Sequence, residues 1–355
     1  MTAPRVLFMT GGSDGSSMWR VYQPCAELER QGYTVHWCPK DADTDALMAA
    51  VLRYRYDAIV LSRTTWPAWA IDLAREFIGR MHRIGLAVWF ECDDDLFLHI
   101  EDHLIDDPVK LRQAREAIRT VELCDGIIVS TPRLKTVTML ATGGVIPVAV
   151  CPNLLDHDWW RMIQRQAPRV VPPLTIGWAG ARRLDNDLAA MVAGWREVAE
   201  RHPRVRFVVQ GHCPPLITEA IAPARLTVLP WIELAKYPAG LVNVDIGCCA
   251  VDDTPFNACK SVIKALEYGA SGAAVVATSA LYRDIIRHND TGLVANTADE
   301  WAAGLSALVE DGQRRRVLAR RLRKEVAERH NLQTGAVRWV DAFSWLLEQG
   351  RRQAA

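Results

Sequence analysis

Two successive series of short apolar runs, each run separated from the next by a helical pattern or a turn, leave this chain few ways to fold. The first series is Arg5–Met9, Thr34–Cys38, Ala58–Leu61, Ala87–Phe90, Gly126–Val129 and Val145–Val150. Helical periodicity falls between them, over Trp19–Gln31 ahead of Gly32, near Ala68–Arg83 and near Pro108–Leu123. Runs of four to six apolar residues alternating with helices predict parallel βα units, because only a crossover helix can return the chain to start another parallel strand. Pro152-Asn153, and then Ala167-Pro168-Arg169-Val170-Val171-Pro172-Pro173, break the rhythm as an interdomain connection does. A second series follows: Leu174–Trp178, Val205–Val209, Leu226–Leu229, Asp245–Cys248, Ala274–Ala277 and Gly292–Val294.

The prediction is therefore an α/β chain of two Rossmann-like, doubly wound domains. The first spans residues 1–165 and the second 166–330, followed by a C-terminal helix over 331–355. Val337, Val340, Phe343, Leu346 and Leu347 give that helix an apolar face that could pack back on the first domain. A length of 355 residues exceeds what one core usually supports, and 50% hydrophobic with 24% charged residues is a globular composition. Two such sheets facing each other would gather their carboxyl strand ends around a cleft, where ligands bind in open α/β sheets.

Charge and targeting signals narrow the partners. Lys plus Arg and Asp plus Glu both number 42, so no net field recruits nucleic acid, membrane or acidic substrates. A local basic stretch from Arg314 to Lys324 is read chiefly as a solvated helix face. The nine cysteines form no C-x-x-C pair and mostly sit in apolar runs, which suits reduced thiols in the cytoplasm. The N-terminus enters a strand directly, without the pattern of a signal peptide, and no apolar run reaches the roughly 20 residues of a membrane span. Any membrane contact would be peripheral.

Three segments could carry chemistry. Gly11-Gly12-Ser13-Asp14-Gly15 follows the first strand and suits close backbone approach to a ligand, or simply a tight turn. It is not the dinucleotide fingerprint, since Ser13 stands where G-x-G-x-x-G needs its second glycine, and an NAD enzyme is disfavoured. Glu91-Cys92-Asp93-Asp94-Asp95 closes the fourth strand with acidic groups, which suit a helix cap or hard-cation ligation. In Phe256–Gly272, Lys264 and Glu267 share a helical face. A cation beside free helix N–H groups suits a diphosphate, and a carboxylate one turn on suits ribose hydroxyls; an ordinary i,i+3 ion pair is the plain alternative.

Ser261-x-x-Lys264-x-x-Glu267-Tyr268, followed by Gly272 and Val275-Val276, resembles the donor-binding segment of family 4 glycosyltransferases of the GT-B fold. The resemblance is strongest from Asp245 to Val294. It implies an enzyme that moves a sugar from a nucleoside-diphosphate sugar to an acceptor hydroxyl, with retention at the anomeric carbon and with neither cofactor nor metal. It implies donor contacts from Gly11, Gly12, Gly180, Ser261, Lys264 and Glu267, and stabilisation of the leaving diphosphate by Lys264 with Arg182 or Arg183 in Gly177-Trp178-Ala179-Gly180-Ala181-Arg182-Arg183. Asp93 or Asp94 would bind sugar hydroxyls or orient the acceptor, and Trp231 would stack on the base. Asn153 and Asp156 resemble an interdomain Asn-x-x-Asp that is read as structural.

The chain departs from that family twice. Related enzymes often carry a histidine near the end of the fourth strand, where this chain has acids and His99 comes a few residues late. Cys259 stands where the first of two family glutamates belongs. These departures keep open a non-catalytic nucleotide-sugar-binding protein, and the two-domain architecture keeps open a sugar-nucleotide epimerase. The acceptor expected is a glycan or lipid-linked saccharide, with a modified DNA base, a protein or a small metabolite also open.

Overall fold

A computed structural model of the chain describes residues 3–12, 15–97, 108–167, 173–181 and 185–354. Two compact units emerge. One comprises residues 1–154, 259–261 and 332–355; the other comprises 155–258 and 262–331.

The first unit is built on β1 (Val6–Thr10), β2 (Val35–Pro39), β3 (Ala58–Ser62), β4 (Ala87–Cys92), β5 (Gly126–Val129) and β6 (Val148–Val150). They form one parallel sheet in the order β2-β1-β3-β4-β5-β6. Every residue of β1, β3 and β5 is buried, as expected when helices cover both faces of a parallel sheet. Leu7, Met9, Ile59, Leu61 and Phe90 point to one core, while Val6, Phe8, Val60, Trp89 and Ile128 point to the other. The helix Val337–Ala354 completes the second core, stacking Phe343 on Trp89 with ring centroids 5.7 Å apart and setting Trp339 edge-on to Phe8 at 5.7 Å.

The second unit holds β7 (Thr175–Gly180), β8 (Arg206–Gly211), β9 (Leu226–Leu229), β10 (Ile246–Cys249), β11 (Ala274–Ala277) and β12 (Leu293–Val294). Its sheet is also parallel, in the order β12-β11-β10-β7-β8-β9. Counted from β7, this is the order 3-2-1-4-5-6, whose switch point lies between β7 and β10. Trp178, Trp195, Phe207, Ile246, Val276 and Trp301 fill the core. Among the described residues, no helix is long and apolar enough to cross a membrane.

Candidate functional site

In the second unit, the helix Ile263–Ser271 follows β10 and is fixed from three directions. Its Tyr268 is fully buried, donates a hydrogen bond to the Gly177 carbonyl on β7 at 3.2 Å, and lies on Gly247 of β10 so closely that a Cβ there would come within 2.3 Å of the ring. Gly272 ends the helix at φ +80°, a left-handed position that suits glycine. The loop feeding the helix is clamped by Asp187, which accepts from the Asn257 side chain at 2.7 Å and from the Asp252 N–H at 2.9 Å. These contacts hold Lys264 and Glu267 on one helical face, beside the switch point of the sheet.

Glu267 is buried, and its Oε2 accepts from Lys264 Nζ at 2.8 Å and from the Tyr237 hydroxyl at 2.9 Å. Lys264 also donates to the Tyr237 oxygen at 2.9 Å, with its ammonium 4.9 Å from the centre of that ring. Burial, with the Glu267 charge adding to it, pushes the Tyr237 phenol well above the usual range, so it stays a donor. Trp160 stands edge-on to Tyr237 at 6.0 Å and donates to Ser271 at 3.0 Å. At the carboxyl ends of β7 and β8, Gly211 adopts φ +102° and passes so close to the Gly180 carbonyl that a Cβ would lie 2.5 Å from it. The exposed Trp231 ring borders the same spot, 3.4 Å from that Cβ position.

The first unit gathers a second polar group at the carboxyl ends of its strands. A π-helical turn, Met18–Tyr22, turns Arg20 inward until it is wholly buried. Its Nε donates to Glu91 on β4 at 2.6 Å, and its Nη1 donates to the Cys151 carbonyl at 2.5 Å and to Asn153 Oδ1 at 2.8 Å. Glu91 also accepts from Ser62 at 2.8 Å, and Asn153 Nδ2 donates to Ser261 Oγ at 2.9 Å. Burial pulls the Arg20 pKa down, but the charges of Glu91 and its neighbours outweigh this and raise it, so the guanidinium stays charged. Burial pushes Glu91 the other way, above the usual carboxylate range, against the attraction of Arg20.

Beside this network, Arg63 takes φ +47° and reaches three partners: Asp93 at 2.8 Å, Asp94 at 3.3 Å and Ser16 at 2.9 Å. A left-handed arginine is rare, and here it accompanies these side-chain contacts. Lys260 pairs with Asp94 at 3.0 Å, and Tyr22 donates to the Gly12 carbonyl at 2.5 Å. Gly11 lies under the Lys40 side chain, where a Cβ would meet Cε at 2.3 Å.

Residues 173–311, nearly all of them in the second unit's sheet and helices, match the family model for glycosyl transferases group 1. The match to that family lies in the second unit. Solved structures extend the likeness of fold over the whole chain. Sucrose-phosphate synthase from Thermosynechococcus elongatus is 13% identical, with 97% of this chain and 99% of that chain covered and a TM-score of 0.70. Anabaena HepE, solved with UDP and glucose, is 15% identical over 96% of this chain and 99% of that one, with a TM-score of 0.66. A putative UDP-N-acetylglucosamine 2-epimerase from Listeria monocytogenes is 11% identical over 98% of both chains, with a TM-score of 0.57. No curated protein sequence matches the chain. The fold is GT-B.

Within the second unit, Lys264 and Glu267 are joined directly, and Gly180 and Trp231 meet around Gly211. Arg182 and Arg183 lie outside the described residues, as do Ser13 and Asp14 of the first loop. In the first unit, Asp93 and Asp94 are brought together by Arg63, Gly11 and Gly12 lie near Lys40 and Tyr22, and Ser261 joins the Arg20 network through Asn153. Sequence reasoning missed Tyr237, Arg63, Asp187 and the Arg20–Glu91 pair. Of these only Glu91 carried a signal, as the first residue of Glu91-Cys92-Asp93-Asp94-Asp95.

Proposed function

We propose that the protein is a nucleotide-sugar-dependent glycosyltransferase that transfers with retention of anomeric configuration and works in the cytoplasm without a metal. The observation that carries this reading is the Lys264–Glu267–Tyr237 group beside the β7/β10 switch point of the second unit. Glu267 would accept hydrogen bonds from both ribose hydroxyls, and Lys264, with Arg182 or Arg183, would neutralise the departing diphosphate. Cations and helix N–H groups directed at that charge lower the barrier most where water is excluded. Trp231 offers a face for the base beside Gly180. Asp93, paired with Arg63, and Asp94, paired with Arg63 and Lys260, would receive hydroxyls of the sugar or the acceptor. The acceptor is taken as a glycan or lipid-linked saccharide.

The epimerase reading keeps a foothold in the Listeria monocytogenes neighbour. One experiment separates the possibilities: the protein is incubated with UDP-, GDP-, ADP- and TDP-sugars with and without hydroxyl acceptors, and the sugar is followed by proton NMR. Acceptor-dependent release of nucleoside diphosphate supports transfer. An inverted ring carbon on an intact donor would establish the epimerase, and binding without any chemistry would establish a binding protein.

A further inference from the structure

A groove of about 600 Å³ opens in the first unit between the helices Thr44–Tyr54 and Ile71–Arg83. Met9 of β1 and Leu61 of β3 form its floor, and Met48, Trp66, Phe77 and Met81 form its walls. It follows the second helix from Leu73 to Ile84, eleven residues apart and so about 16 Å in length. Leu73 and Ile84 are 59% and 48% exposed, so its apolar lining continues to the surface. One end lies at Lys40, directly after β2, with the side chain laid over Gly11 at the carboxyl end of the sheet. Among the described residues, neither Lys40 nor Arg83 has a carboxylate partner within salt-bridge distance, whereas Arg80 is paired with Glu76.

We infer that this groove holds the apolar chain of an amphiphilic acceptor whose anionic head lies against Lys40, making the acceptor a lipid-linked one. The inference rests on the glycosyltransferase reading and deepens it. The volume falls within the roughly 300–1,000 Å³ of small-molecule sites. A partner helix about 10 Å wide and 15 Å long would need about 1,200 Å³, twice what is there. A single alkyl or isoprenoid chain matches the length and the apolar lining. The cation at the strand-end mouth supplies the charge complement for a phosphate and orients the chain with its head toward Gly11. Each methylene buried multiplies affinity about fourfold.

The test uses the full-length protein and calorimetric titration with n-decyl phosphate below its micellar concentration, methyl phosphate as the short control, and the nucleotide sugars. Decyl phosphate is expected to bind at least tenfold more tightly than methyl phosphate. Leu73→Glu, at the exposed mouth, and Met48→Glu should each weaken it tenfold or more. Lys40→Ala should weaken it about fivefold and Arg83→Ala should leave it unchanged, with nucleotide-sugar binding intact in all four variants. Equal affinity for the two phosphates, indifference to Leu73→Glu, or dependence on Arg83 in place of Lys40 overturns the inference while the donor reading stands. Decyl phosphate binding as expected, in a protein that binds no nucleotide sugar, overturns the acceptor role because the donor reading itself has then failed.

Discussion

Lys264 Nζ and Glu267 Oε2 are 2.8 Å apart, and the Tyr237 hydroxyl touches both. The carboxylate is 1% exposed while the ammonium keeps a quarter of its side chain in solvent. Glu267 is therefore the fixed member of the pair, and Lys264 the member able to turn toward an incoming anion. Replacing Lys264 with Ala should lower turnover by about 10² to 10³ if it stabilises the leaving group in the transition state. Tyr237→Phe removes one hydrogen bond to the carboxylate and should cost about 1 kcal/mol of stability with less than a tenfold change in turnover. Steady-state kinetics and urea unfolding of the two variants check both.

The Arg20–Glu91 pair is expected to act on stability more than on donor affinity. Arg20→Ala strands a buried carboxylate and should destabilise by about 3–5 kcal/mol, whereas Arg20→Met with Glu91→Leu should recover most of the loss. Urea midpoints of the single and double variants measure this. An Arg20→Ala variant as stable as wild type would contradict this account of the pair.

His157 gives the fold a pH response of definite sign. Burial, and after it the charges of Arg323 and Arg161, hold its imidazole below the ordinary 6.5. Below pH 6.5 the unfolded chain therefore binds a proton that the folded one resists, so this contribution to stability is lost as pH falls toward the depressed native pKa. Melting temperatures across pH 5 to 7.5 should show a slope over the lower part of the range that His157→Gln reduces.

Two glycines should respond oppositely to alanine. At Gly247 a Cβ would strike the Tyr268 ring, so Gly247→Ala should destabilise by about 1–3 kcal/mol and, by displacing the helix that carries Lys264 and Glu267, weaken donor binding. In the helix Ala298–Glu310, a Cβ on Gly304 meets nothing closer than 3.7 Å, and Gly304→Ala should stabilise by about 0.5–1 kcal/mol. Thermal unfolding of both variants tests the contrast.

The strands were legible because their residues are buried on both faces, which leaves uninterrupted apolar runs such as Val6–Thr10 and Ala58–Ser62. The expected run Val145–Val150 shrinks to Val148–Val150, since Gly143 and Gly144 hold the chain in left-handed turns just before it. The Lys264–Glu267 pair was legible because three-residue spacing on a helix fixes proximity. Arg20 and Glu91 lie 71 residues apart, and Tyr237 and Glu267 lie 30 apart, so only the order of strands in the sheet brings them together. Arg63 was hidden for another reason: nothing in its neighbours requires a positive φ, which its contacts with Ser16, Asp93 and Asp94 accompany.

The most direct measurement is the melting temperature of wild type, Lys264→Ala and Glu267→Ala in UDP, GDP, ADP and TDP and their common sugars. A ligand at a hundred times its Kd stabilises the folded state by about 2.7 kcal/mol. One nucleotide family should raise the wild-type melting temperature by several degrees, with the rise reduced or lost in both variants. An equal rise in all three proteins would place the nucleotide elsewhere, and no rise with any nucleotide would contradict a donor site at Lys264 and Glu267.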